Sequence, residues 1–233
     1  MCTVLLRFAP GTAQPLILGA VRDEFMDRPW DPPAAHWPSA PGVIGGRDRQ
    51  AGGTWLAVAP GSRSVAALLN GVPFPLLPQA VRPSRGTLPL AALTGTLDES
   101  TLDSYERFHL LFARPDAVTV WTWDGATVER RDLAPGDHII VNRGVDAVDD
   151  PLVPHFAPLL AAASSDPEDW LKLLAGDGLD PTDDRALLVR KEYQGRVFAS
   201  GSAALISVGD EMTFDFTAAP ATPSWYRVPS SSA

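Results

Sequence analysis

Cysteine at position 2 brings two reactive groups onto one residue once the methionine ahead of it is removed, as normally happens when the next side chain is this small. A thiol titrates at about 8.5 and an α-amine at about 7.7–8.0, so near neutral pH one can take a proton from the other, directly or through a water. A nucleophile that carries its own base needs no histidine. Position alone also fits a small residue opening an edge strand, so the case rests on the residues around it. Read singly, Arg22-Asp23-Glu24 is a surface salt-bridge cluster of little energetic weight. Asn70-Gly71 is a common turn pair, and Asn142 closes an apolar run. Trp30 and Trp37, in a proline-rich stretch, have the size and amphipathic rings to wall an apolar ligand pocket.

Other chemistries have little support. His36, His109, His138 and His155 lie far apart and show no metal-ligand spacing, so no metal site is expected. No glycine-rich phosphate loop with a Lys-Ser/Thr ending precedes a helix. The formal charge of −9 and the lack of a basic stripe argue against a nucleic-acid partner. Basic residues are nearly all Arg, Lys172 and Lys191 excepted, and with abundant Ala, Gly and Pro this looks like the imprint of a GC-rich genome. A single cysteine rules out an intramolecular disulfide framework and suits a reducing compartment. The sequence shows neither a signal-peptide pattern nor an apolar run of membrane-spanning length, so a cytoplasmic protein without a membrane span is expected.

The elements that must position these residues read as strands, helix, strands, helices, strands. Cys2–Phe8 and Leu16–Ala20 flank Pro10-Gly11 as an opening hairpin, and Thr54–Ala59 and Ser64–Asn70 flank Pro60-Gly61 as a second. The stretch Arg28–Gly53 carries enough Pro and Gly to exclude long helices and central strands, and reads as a loop over the body. Gly71–Gly86 reads as another loop. A helix is expected over Leu97–Arg114, capped by Asp98 and stopped by Pro115, with Leu102, Tyr105, Phe108, His109 and Phe112 on its apolar stripe. Ala117–Trp123, Thr127–Leu133 and His138–Asn142 read as strands, the first two joined at Asp124-Gly125. Helices follow at Leu152–Ala163 and Glu168–Ala175, then strands at Arg196–Val208 and Met212–Thr217. This order suits an α+β protein with two mostly antiparallel sheets and helices packed outside them. One domain over 1–225 and a flexible tail at 226–233 are expected.

The chain resembles the NRDE family, whose animal members are called transport and Golgi organisation proteins of type two. The likeness is carried by Met1-Cys2-Thr3, Gly19-Ala20-Val21-Arg22-Asp23-Glu24, Gly46-Arg47-Asp48, Gly52-Gly53-Thr54-Trp55-Leu56, Leu69-Asn70-Gly71 and Ser84-Arg85-Gly86. It thins to His138-Ile139-Ile140-Val141-Asn142 and the Phe198–Val208 strand. Val21 stands where the eponymous motif has Asn. That family in turn is similar to the choloylglycine (bile-salt) hydrolase and penicillin V acylase branch of N-terminal-nucleophile (Ntn) hydrolases. The resemblance therefore implies a four-layer αββα sandwich.

It also implies that Cys2 attacks an amide while Asp23 orients its α-amine. By the same similarity Asn70 and Asn142 steady the oxyanion and the nucleophile, with each preorganised donor worth roughly 3–4 kcal/mol. Arg22, Trp30, Trp37 and Trp55 are the candidates for contacting a bound small molecule. The arginine that such enzymes carry late in the chain has no secure counterpart, since Gly201 stands in its place and Arg196 is only nearby. The implied function is hydrolysis of a small amide or acyl compound without a cofactor. The alternatives are a non-catalytic carrier of haem or acyl lipid, with haem held by Cys2 or a histidine, and an inactive scaffold. Oligomeric state is left open.

Overall fold

The computed structural model describes residues 2–72 and 82–230. In chain order the elements are β1 (Cys2–Phe8), β2 (Leu16–Phe25), β3 (Trp30–Ala34), β4 (Ile44–Asp48), β5 (Leu56–Ala59), β6 (Ser64–Asn70), α1 (Leu88–Thr94) and β7 (Phe108–Arg114). They continue with β8 (Ala117–Trp123), β9 (Val128–Asp132), β10 (Gly136–Val141), β11 (Gly144–Val145), α2 (Leu152–Ala162), α3 (Pro167–Leu174), β12 (Arg190–Tyr193), β13 (Arg196–Val208), β14 (Met212–Thr217) and β15 (Tyr226–Arg227). The described chain divides into two compact units, one built from residues up to 29 together with 135–230, the other from 30–134.

The first unit holds an eight-stranded sheet in the order β11-β10-β1-β2-β13-β14-β15, with β12 paired to β13. The opening hairpin forms as expected, Gly11 taking a φ of 81° in its turn. β1 is an interior strand, flanked by β2 and β10, which is why its sequence is apolar on both faces. Alternate residues on one face, among them Leu5, Ile17, Val21, Ile139, Val141, Ala203 and Leu205, pack against Leu152, Val153, Phe156 and Leu160 of α2 and Trp170 and Leu174 of α3. Each such side chain taken from water contributes about 1.5–3 kcal/mol, so this layer fixes the helices to the sheet.

Local chemistry sets one end of each helix in this unit. Pro167 occupies the first turn of α3 and the Asp166 side chain accepts from the Glu168 amide at 2.9 Å. At the far end of α2, Arg7 of β1 donates to the carbonyls of Leu160 and Ala163, each at 2.7 Å, and so satisfies acceptors the helix leaves over.

The second unit is a seven-stranded meander, β3 through β9 in sequence order, all antiparallel. Leu88 and Ala92 of α1 cover Ala66, Phe108, Leu110 and Trp121 on one face. Each unit thus supplies an antiparallel sheet and a helical layer, as an α+β fold requires.

Two sequence expectations need correction. The helix expected over 97–114 is a short 3-10 turn, Glu99–Ser104, followed by β7. Asp98 does cap the turn, accepting from the Ser100 amide at 3.0 Å. Phe108-His109-Leu110-Leu111-Phe112 is buried on both faces between β6 and β8, and a run of that kind satisfies a helical stripe and a central strand equally. The stretch 28–53 contains β3 and β4, and β4 is an interior strand between β3 and β5. Its glycines mark close approach of neighbouring strands: a β-carbon at Gly45 would lie 2.6 Å from the Leu56 carbonyl oxygen. The helix α1 was not expected, and most of the loop expected over 71–86 lies outside the described residues.

At the chain's end, β15 pairs with β14, Arg227 forms an ion pair with Asp215 at 2.7 Å, and Val228 is buried. Order in the stretch read as a tail therefore reaches at least to that residue. Gly45→Ala is expected to lower the unfolding free energy by about 1–3 kcal/mol through overpacking, read as a shift in urea midpoint with unchanged slope.

Candidate active site

The site is built around the point where β1 runs out of backbone partners. β10 pairs with β1 as far as Val4↔Ile140, and the chain beyond Val141 turns away toward β11. The Cys2 amide would then be left without an acceptor, which costs a buried group about 1–3 kcal/mol. Asn142 fills the gap: its Oδ1 accepts from the Cys2 backbone nitrogen at 2.9 Å. Because that nitrogen is a donor, the carboxamide must present its oxygen there, which makes Nδ2 the donor end of the group. Asn142 is only 2% exposed, so its orientation is fixed by packing as well.

On the other side β2 aligns Arg22 directly with Cys2. Residues opposed across an antiparallel pair share a face, and neighbours along a strand alternate. Cys2 and Arg22 therefore project to the face turned away from α2 and α3, while Asp23 projects to the helix-bearing face with Val21. Acid and thiol reach the open end of β1 from opposite sides of the sheet. The Cys2 thiol donates weakly to the main-chain carbonyl of Asp23, at 3.9 Å.

Arg22-Asp23-Glu24 is not the exposed cluster that its composition allows. Arg22 and Asp23 are each 6% exposed. Glu24 lies 3.6 Å from Arg22 and 3.7 Å from Arg28, so it serves the cations. Asp23 takes a hydrogen bond from the Ser200 hydroxyl at 2.6 Å.

Electrostatics follow from this burial. Desolvation pushes the Asp23 carboxyl up to about 7, against the lowering effect of the amino terminus, the Ser200 hydrogen bond and Arg22. Desolvation likewise pushes the Cys2 thiol up, with the Asp23 charge adding to it and Arg22 opposing. At neutral pH the resting sulfur is a thiol, so attack on a carbonyl requires a base that removes its proton during the reaction.

The remaining expected residues lie in the second unit. Asn70 ends β6 opposite Phe108, and the Gly71 amide continues the ladder to the Arg107 carbonyl at 2.9 Å. The pair therefore extends a strand instead of making a tight turn. Trp30 and Trp55 meet edge to face with ring centroids 5.7 Å apart, and the Trp37 indole donates to the Gly52 carbonyl at 2.8 Å. Several motif residues here build structure. Arg47 grips Asp31 at 2.6 Å, Asp48 accepts from the Gln50 and Ala51 amides, and the Thr54 amide donates to the Gly86 carbonyl.

Arg196 does not stand in for a late arginine at the site, because it forms a bidentate pair with Asp27 at 2.7 and 2.9 Å and lies over the Phe25 ring. Sequence reasoning missed Ser200 entirely. Nothing in Ala199-Ser200-Gly201-Ser202 distinguishes the serine that meets Asp23, since the pairing depends on a strand register set elsewhere.

Among the described residues no cluster of three or more His, Cys, Asp or Glu could hold a metal ion, and no helix is long and apolar enough to cross a membrane. Each histidine already uses a ring nitrogen: His36 with the Pro32 carbonyl, His109 with Thr122, His138 with Asp146 and His155 with Asp177.

A family model described as Transport and Golgi organisation 2 matches residues 1–165. Among solved structures, the N-acylethanolamine-hydrolyzing acid amidase ortholog of Caenorhabditis elegans superposes with a TM-score of 0.53 at 9% identity, covering 98% of this chain and 100% of that one. At that identity the likeness carries the fold alone, an α+β arrangement with two antiparallel sheets. No curated protein matches the chain in sequence.

The Asp23 carboxyl holds its proton more tightly in the fold than in the unfolded chain, where it titrates at about 3.9. Its contribution to stability is therefore largest below that value and is lost as pH rises toward 7. Asp23→Asn is expected to unfold at a higher urea concentration than the parent at pH 8, by up to about 4 kcal/mol, and the gap is expected to shrink at pH 4.

Proposed function

The chain belongs to the Transport and Golgi organisation 2 family, and on that footing we propose that it is a cysteine N-terminal-nucleophile hydrolase acting on a small amide or acyl compound. The observation that carries the reading is the placement of Cys2 at the open end of an interior strand, its nitrogen on Asn142 and a buried Asp23 beside it. Removal of Met1 turns that nitrogen into an α-amine in the same place. It then takes the thiol proton as the sulfur bonds to the substrate carbonyl carbon.

The tetrahedral oxyanion requires donors about 2.7–3.1 Å away, and the Nδ2 end of Asn142 is assigned to it. The ammonium returns its proton to the leaving amine as the C–N bond breaks, which leaves a thioester on Cys2. Water, deprotonated by the same amine, releases the acid and restores the thiol. Asp23 holds the ammonium through charge and orientation, and Arg22 stabilises negative charge on the Cys2 face.

The fold neighbour is named for hydrolysis of N-acylethanolamines, which are acyl amides, and that favours a substrate with an acyl chain over a purely polar amide. Intact mass of the native protein is expected to lack methionine. Incubation with p-nitrophenyl acetate is expected to release p-nitrophenolate and add one acetyl group at Cys2. Cys2→Ala should abolish the adduct, and Asn142→Ala should slow it by about 10²–10³-fold. Retention of Met1, or acetylation elsewhere than Cys2, would sink the reading. Saturable haemin binding without any acylation would support the carrier in its place.

A further inference from the structure

Ser200 lies at an irregularity whose geometry is specific. Between Val208 and Ser202, β13 pairs with β2 in one register, with Ala203 opposite Val21 and Ser202 opposite Arg22. Continued without interruption, that register would set Gly201, which has no side chain, opposite Asp23. The pairing instead shifts at a bulge between Ser200 and Ser202, so that Ser200 stands opposite Asp23 and Ala199 opposite Glu24. Bulges commonly re-aim one side chain in this way. Here the change replaces a bare glycine with a hydroxyl.

The direction of the hydroxyl is also fixed. Ser200 donates its backbone amide to the Val189 carbonyl at 2.9 Å, and the Val189 amide returns to the Ser200 side-chain oxygen, also at 2.9 Å. That oxygen accepts a backbone donor and carries a single proton of its own. The proton goes to Asp23 Oδ1, 2.6 Å away. A short relay thus runs from the Val189 amide through Ser200 to the carboxylate, and each bond polarises the next.

We infer that Ser200 is a positioning residue for this site: its hydroxyl, held by the Val189 amide, orients Asp23 and keeps it ionised beside the start of β1. The inference rests on the reading of Cys2 as a nucleophile whose amine Asp23 holds. A buried carboxylate with one fixed donor keeps a defined direction, whereas a protonated one could neither hold an ammonium nor share its proton without competing for it. The charged and titratable groups bearing on Asp23 are the amino terminus, Arg22 and Glu24 on its own strand, and the Cys2 thiol on β1. Burial drives its titration up, and the serine is among the groups that restrain the rise.

The test is a titration of Asp23 by carboxyl carbon NMR on the full chain, assigned with Asp23→Asn. Beside it stands the pH dependence of Cys2 acylation by p-nitrophenyl acetate. Loss of a hydrogen bond to a charged group moves a titration by about one pH unit. Ser200→Ala is therefore expected to raise both the Asp23 midpoint and the acidic limb of acylation by that amount, while Ser200→Thr, which keeps the hydroxyl, stays near the parent. Should Ser200→Ala not fold, Ser200→Cys, a weak donor, makes the same comparison in the NMR titration.

An unchanged Asp23 midpoint overturns the inference. So does a Thr variant displaced as far as the Ala variant, or a midpoint that moves while the acylation limb does not. The NMR arm is read on the resting protein, so a failure of the hydrolase reading, seen as no acylation of Cys2 in the parent, is told apart from a failure of the relay.

Discussion

The backbone nitrogen of Cys2 needs an acceptor where its strand has outrun its neighbour, and the rest of the site follows from that need. An interior strand cannot leave a terminal donor unsatisfied in a buried setting without a penalty of about 1–3 kcal/mol. Asn142 meets it with a side chain at 2.9 Å because β10 stops one residue short of continuing the ladder. One carboxamide then closes a strand end through its oxygen and keeps Nδ2 as its donor end. A single side chain meets that structural demand, and that is why Asn142 looks ordinary in the sequence.

Burial is the second constraint, and it works against ionisation at both reactive groups. Thiol and carboxyl are each pushed upward by desolvation. The amino terminus and Arg22 oppose the rise at both groups, the carboxyl is further restrained by the Ser200 hydrogen bond, and the thiol by a distant main-chain carbonyl. The sulfur is thus kept neutral at rest, a state that protects a lone cysteine from adventitious oxidation and couples its activation to proton removal. Arg22, set opposite Cys2 by the hairpin register, is the buried cation on the sulfur's own face.

Much of the fold was legible because local chemistry dictated it. The hairpins at Pro10-Gly11, Pro60-Gly61 and Asp124-Gly125 formed where turn residues demanded, and Asp166 and Asp98 capped the segments that follow them. The failures came where two structures satisfy one pattern. Phe108–Arg114 suits a helix stripe and a strand buried on both faces, and only its neighbours β6 and β8 decide between them. Glycines in β4 read as loop because a sequence does not show that another strand passes within 2.6 Å of a would-be β-carbon. At the site, Cys2, Asp23 and Asn142 could be picked out by resemblance, and the fold brings all three to one strand end. Ser200 could not, since its role depends on a one-residue bulge that no local propensity marks.

Pairing of β2 with β13 joins the first twenty-five residues to a segment beginning at Arg196. During synthesis at about 5–20 residues per second, roughly ten seconds or more pass between the appearance of β2 and that of its partner β13. For that interval the opening hairpin has no completed sheet to enter, and a two-stranded hairpin alone is marginally stable. The first two strands consequently lack their full set of neighbours until β10 and β13 have been made. Slow, long-range topology of this kind counts as a hazard for folding, because apolar strands wait for a partner far along the chain.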